Sequence, residues 1–129
     1  MTPPNALAMF QQLDWSTIPV ESIAVGVTRQ MVTGDRLMVC RLTLAARTVT
    51  AIHSHVHEQM TIVERGRADF FVEGRKQTAR AGDVLVFPSG IQHGATMLED
   101  DDRQYGVVNV QPDFSNLGSG LDKGRSEKK

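Results

Sequence analysis

An all-β domain, a two-sheet sandwich or a barrel, is the fold class this sequence predicts, and three observations predict it. Short runs rich in Val, Ile, Thr and Phe follow one another from residue 21 onward. Turn residues interrupt them at roughly the 8–12-residue interval of all-β folds. No stretch carries the 3.6-residue periodicity of a long amphipathic helix. In order, the runs cover residues 22–32, 36–45, 51–55, 59–64, 68–72, 76–79, 84–87, 92–98 and 104–110. The breaks fall at Thr33-Gly34-Asp35, Arg65-Gly66-Arg67, Glu73-Gly74-Arg75, Ala81-Gly82-Asp83 and Pro88-Ser89-Gly90. Glycine there supplies turn conformations that a Cβ resists. Residues 1–20 form an N-terminal arm with Pro3, Pro4 and Pro19, and its apolar stretch 6–13 is expected to make one helical turn. The β domain spans 21–114. Residues 99–102 read as a solvated acidic loop. Residues 115–129 are mostly Gly, Ser and charge and are expected to be disordered, because they cannot bury enough apolar surface.

Size and charge narrow the function. With 129 residues the chain is one domain, large enough to fold without disulfides. Its net charge of -1 gives no reason to expect nucleic acid or an anionic membrane as partner. No apolar run approaches the ~20 residues of a membrane span, and residues 1–10 lack the pattern of a signal peptide. Cys40 is the single cysteine, so no intrachain disulfide is possible, and it reads as a buried hydrophobe. A cytoplasmic setting is the expectation.

The chemistry concentrates in the histidines. Three of the four, His53, His55 and His57, fall within five residues, and the fourth is His93. Residues two apart on a strand point to the same face, so His53 and His55 can aim two imidazoles at one point. His93 is the histidine left to close a site from elsewhere. Neutral imidazole suits Zn, Fe, Ni and Cu. A surface cluster or satisfied core residues would explain His-x-His equally well. The segment 82–93, Gly82-Asp83-Val84-Leu85-Val86-Phe87-Pro88-Ser89-Gly90-Ile91-Gln92-His93, weighs against that, because its turn brings His93 onto a neighbouring strand.

Together the two segments resemble the cupin family, whose motifs are Gly-x5-His-x-His-x3,4-Glu-x6-Gly and Gly-x5-Pro-x-Gly-x2-His-x3-Asn. Three residues separate His55 from Gln59 and six separate Gln59 from Gly66, while Gly82, Pro88, Gly90 and His93 match the second motif at every spacing. The likeness covers about residues 35–112. It implies a double-stranded β-helix, or jelly-roll, barrel holding one divalent transition metal (Zn, Ni, Fe or Mn) on His53, His55, His93 and Gln59. Three positions depart from the motifs. Arg47 stands for the leading Gly, Met97 for the final Asn, and Gln59 for the usual glutamate. A one-residue slip would make Glu58 the ligand; the spacing to Gly66 favours Gln59.

Glutamine changes the electrostatics. It ligates through a neutral carbonyl oxygen, so the metal's full charge stays uncompensated. Such a site is a stronger Lewis acid and disfavours Fe(III). This tilts the expectation toward isomerisation, ring opening, cyclisation or dehydration of a small oxygen-rich molecule. The alternatives are a dioxygenase of the quercetinase or diketone-cleaving type and a non-catalytic metal or ligand-binding module.

Other pocket candidates follow from position. His57 reads as a support for a ligand, a fifth ligand or an exposed turn residue, and His57 or Glu58 is a candidate general base. Arg29 and Arg41 are candidate anion-holding groups inside β-like runs. Asn109 and Gln111 share one face of the last strand with Tyr105 and Val107. The chain resembles cupins that linearise unsaturated uronates in pectin breakdown and polyketide-cyclase cupins. The former lead to an expected Asp-x-Phe followed by Arg, where this chain has Asn109-x-Gln111 and no later Arg until Arg125. A homodimer is expected, since short barrels of this kind expose sheet edges.

Overall fold

The computed structural model describes residues 9–98 and 104–112. The acidic loop and the proposed tail lie outside the described residues, as does the arm before residue 9. Met9, the first described residue and part of the apolar stretch 6–13, is helical, and a separate 3-10 turn stands at Trp15–Thr17. It follows the apolar stretch in which a turn was expected, because Asp14 caps it: its carboxylate accepts from the Ser16 backbone N–H at 2.9 Å.

Ten strands follow: β1 Glu21–Ala24, β2 Val27–Thr33, β3 Leu37–Leu44, β4 Val49–His53, β5 Gln59–Arg65, β6 Arg67–Val72, β7 Arg75–Arg80, β8 Val84–Phe87, β9 His93–Met97 and β10 Tyr105–Pro112. The run at 22–32 is two strands, not one. Ala24 pairs with Val27 across a two-residue turn, in which Val25 is fully exposed and Gly26 takes φ +77°. Val25 continued the apolar pattern and hid that turn. His55 likewise lies beyond the end of its strand, since β4 stops at His53.

The strands form two antiparallel sheets, ordered β1-β2-β3-β10-β5-β8 and β4-β9-β6-β7. The two ladders face each other as a jelly roll. Among the described residues they do not join into a closed barrel. The core sits between them, with Leu44, Val63 and Tyr105 from one sheet against Ala68, Phe70 and Met97 from the other. Gly66 joins β5 to β6 for two physical reasons. Its φ is +83°, and a Cβ there would meet Tyr105 at 3.1 Å. Arg47, in the motif's leading glycine position, adopts φ 67°, a conformation that costs a residue with a Cβ about 1–2 kcal/mol. Met97, in the motif's asparagine position, is a core residue.

Register sorts the interior into layers. His53 pairs with His93, and Gln59 with Phe87. One step inward, Asn109 pairs with both Thr61 and Cys40. Deeper still, Val107 pairs with Val63 and Leu42, and Phe70 with Ala95. The far layer pairs Tyr105 with Leu44 and Ala68 with Met97. Polar side chains thus gather at one end and apolar ones at the other.

The outer face of the six-stranded sheet is also apolar. Met60 pairs with Val86 and Ile62 with Val84, and these four are 40–60% exposed. Their neighbours on β10 are Val110 and Val108. β8 is the edge strand beside them.

Candidate metal centre

His53, His55 and His93 converge at the polar end of the interior. Each offers one ring nitrogen, and these atoms lie within 4.8 Å of one another. The ring centroids are 4.5 Å apart for His53 and His93, 5.1 Å for His55 and His93, and 5.5 Å for His53 and His55. Among the described residues no cysteine or carboxylate joins the cluster. Glu58 is exposed and is not part of the cluster.

The three rings are held in one way. His53 Nδ1 faces the Ala51 carbonyl at 2.9 Å, His55 Nδ1 the His57 carbonyl at 2.9 Å, and His93 Nδ1 the Ile91 carbonyl at 3.1 Å. A carbonyl only accepts, so each Nδ1 must carry the proton. In the neutral ring this leaves every Nε2 lone pair bare. Ligating histidines are oriented in this manner, with the far nitrogen donating to a backbone oxygen. Burial is the first cause lowering the pKa of His55 and His93 from the ordinary 6.5, and neighbouring histidines lower it further. Neutral imidazole, the ligating form, is therefore favoured.

His55 reaches the cluster from a loop because the second motif holds that loop. The Gly90 N–H donates to the His55 carbonyl at 2.8 Å, and the Ser89 hydroxyl donates to the Val56 carbonyl. The Pro88 turn thus has two roles. It carries the chain to His93 and braces His55 from behind. Phe87 stacks on the His93 ring at 4.6 Å.

Gln59 lines the same cavity as His53 and His93 and lies in hydrogen-bonding reach of His55. Its orientation is fixed by a relay. Gln59 Nε2 donates to Thr61 Oγ1 at 2.9 Å, and Thr61 Oγ1 donates to Asn109 Oδ1 at 2.7 Å. A hydroxyl has one proton, so the chain runs in one direction and leaves the Gln59 carbonyl oxygen for the histidine side. The donor set, three bare imidazole nitrogens and one amide oxygen, fits a divalent transition metal.

The remaining candidates divide. Asn109 lines the cavity and ends the relay. Gln111 is half-buried, and continuing the Val110–Met60 register carries it level with Gln59, beyond the cavity lining. His57 stacks on the His55 ring at 4.9 Å and is half-buried. Arg41 does not enter the cavity. Strand alternation turns Cys40, Leu42 and Leu44 inward and Arg41 outward, where it pairs with Glu64 at 3.2 Å and lies 5.3 Å from the Trp15 ring. Arg29 pairs with Glu21 at 3.1 Å near the sheet edge and is not among the residues that line the cavity. Sequence reasoning missed Thr61 as a relay and Gly94 behind His93. Thr61's signal was its place two residues after Gln59.

Residues 40–108 match the family model for the cupin domain. The chain belongs to the cupin family. It is 29% identical over 85 residues to the pectin degradation protein KdgF of Dickeya dadantii, covering 64% of this chain and 76% of that one. The structure of KdgF from Halomonas sp. superposes with a TM-score of 0.67 at 24% identity, covering 78% of this chain and 91% of the other. The polyketide cyclase RemF from Streptomyces resistomycificus gives a TM-score of 0.70 at 18% identity, covering 80% and 79%. No helix among the described residues is long and apolar enough to cross a membrane.

Proposed function

We propose that this cupin is a metal-dependent enzyme in which His53, His55, His93 and Gln59 hold one divalent transition metal as a Lewis acid for a small oxygen-bearing substrate. The observation that carries the reading is the set of three Nδ1–H···O=C bonds, which leaves three Nε2 lone pairs on one point. When bound, such an ion supplies polarisation of an oxygen ligand. The chain's own residues do the rest. Gln59 adds a neutral donor, Thr61 and Asn109 hold it, and Phe87 and Val72 flank the rim of the cluster. Proton transfer falls to His57 or Glu58, the titratable groups beside the histidine loop. Isomerisation, ring opening, cyclisation and dehydration all fit this equipment. RemF, by its name a polyketide cyclase, carries out a cyclisation on this fold, and KdgF, by its name, acts in pectin degradation. A cytoplasmic setting, in which a lone Cys40 stays reduced, belongs to the same reading.

The test is metal content. The purified wild type should hold about one ion per chain, and His93→Ala should hold far less. Stoichiometric metal in the variant would remove His93 from the site. Oxygen consumption coupled to turnover would replace the Lewis-acid reading with a dioxygenase. Metal binding with no turnover on any enolisable or cyclisable substrate would leave a binding module.

We also propose that the chain pairs with a second copy of itself across the outer face of β10, β5 and β8. The patch of Met60, Ile62, Val84, Val86, Val108 and Val110 is uncharged and is bordered on the same face by the Arg41–Glu64 pair, so it suits an apolar surface with the same border, and the same chain offers one. Pairing would also shield edge strand β8.

A further inference from the structure

We infer that the cavity selects a ligand with a chelating oxygen pair at one end and a compact apolar body at the other, and selects against sugar acids and polyols. The inference rests on the metal-site reading above and deepens it.

The cavity measures about 240 Å³, room for about eight water-sized groups. That suffices for one six-membered ring and a short polar head. The free polar donors are confined to the first layers, where Thr61 is committed to Gln59 and Asn109 while the Asn109 amide NH2 remains available; lower down, the Thr50 hydroxyl is engaged by the Ala95 backbone. Below them the walls are Leu42, Val107, Phe70, Ala95 and Met97. A sugar ring placed there would lose its hydroxyls' bonds to water and find no replacement, which is costly for every hydroxyl buried. A hydrocarbon ring would be dehydrated favourably against the same walls.

Charge points the same way. Among the described residues that line the cavity there is no Lys or Arg. Arg41 is turned to the outer face and paired with Glu64, while Arg29, on the same sheet face as Leu42 but not among the lining residues, is paired with Glu21. A carboxylate remote from the ion would therefore be buried without a counter-charge. The Tyr105 hydroxyl is sealed from the cavity, fully buried near the Asp83 carboxylate, so the deep end presents ring carbon rather than a polar atom. Aryl or alicyclic 1,3-dicarbonyl and hydroxy-ketone compounds have this shape and chemistry.

Hydroxamic acids test the cavity without any assumption about turnover, because they chelate the metal through one common head. Zn(II)-loaded protein is titrated calorimetrically with acetohydroxamic, benzohydroxamic and gluconohydroxamic acids, after its Zn(II) stoichiometry has been measured. Benzohydroxamate should bind about tenfold or more tighter than acetohydroxamate, and gluconohydroxamate no tighter than acetohydroxamate. Ala95→Leu, which fills the deep cavity, should erase the benzohydroxamate advantage and leave acetohydroxamate unchanged. Leu42→Phe, at a half-buried position on the opposite sheet, carries the same comparison where Ala95→Leu does not fold. Equal binding of the first two ligands by Zn(II)-loaded protein, or preference for the gluconic compound, would overturn the inference alone. Failure to bind Zn(II) at all would overturn the metal reading beneath it.

Discussion

A glutamine in a ligand position must present one end of its amide and turn the other away. Here the choice is made two residues along the strand. Thr61 has a single hydroxyl proton and gives it to Asn109, so it can only accept from Gln59 Nε2. The carbonyl oxygen is what remains for a metal. Thr61→Val keeps the side-chain shape and removes both bonds. It should weaken Zn(II) affinity about 10- to 100-fold, the usual cost of losing a partner that orients a ligand. Thr61→Ser should hold wild-type affinity, and equal affinities in all three proteins would show that the relay does not orient the ligand. The histidines make a pH prediction at the same scale. Burial lowers the pKa of His55 and His93 below the ordinary 6.5, so the neutral ring persists as pH falls through that value. The protein should keep its metal as pH falls through 6.5 and release it only at lower pH, as protons compete for the same nitrogens. Metal content followed against pH decides this, and a midpoint at or above 6.5 would count against burial as the controlling effect.

At the scale of elements, the site depends on how closely β4 and β9 approach. A Cβ added to Gly94 would meet the Thr50 carbonyl oxygen and Ile52 Cγ1, both at 3.0 Å. The carbonyl is backbone and cannot swing aside. Gly94→Ala should therefore cost about 1–3 kcal/mol in denaturant unfolding and displace His93 next to it, with a parallel loss of metal affinity. Unchanged stability would mean that β4 gives way freely. The turns behave differently. The sequence runs identified strands β3 to β10 within a residue or two. They failed where a turn used residues that look like strand, at Val25-Gly26. They also failed at His55, which reaches the cluster from a loop held by Gly90 and Ser89 rather than by strand periodicity.

For the whole molecule, two sheets place a polar end and an apolar end inside one cavity and leave one outer face apolar. That outer face is where a second copy is expected. Ile62→Lys or Val86→Lys would set a charge in the middle of it, at positions already exposed enough to tolerate one. The wild type should sediment at twice 14.2 kDa and either variant at 14.2 kDa, with strand content and metal binding retained. A monomeric wild type at micromolar concentration would refute the pairing.

The sequence alone determined the succession of strands along the chain from β3 onward and the turns at Gly66 and Gly82, because short-range spacing fixes where a run ends and a turn falls; the four candidate ligands followed from the resemblance of its two segments to the cupin motifs. It could not determine the fate of Arg41, since a single strand does not say which of its faces is the inside. Nor could it distinguish Asn109 as a reacting group from Asn109 as the end of the Gln59 relay, because that contact joins residues 48 positions apart. The packing of one sheet over the other decided the first, and the pairing of β5 with β10 within one sheet decided the second. That packing set the layers that make one end of the cavity polar and the other apolar.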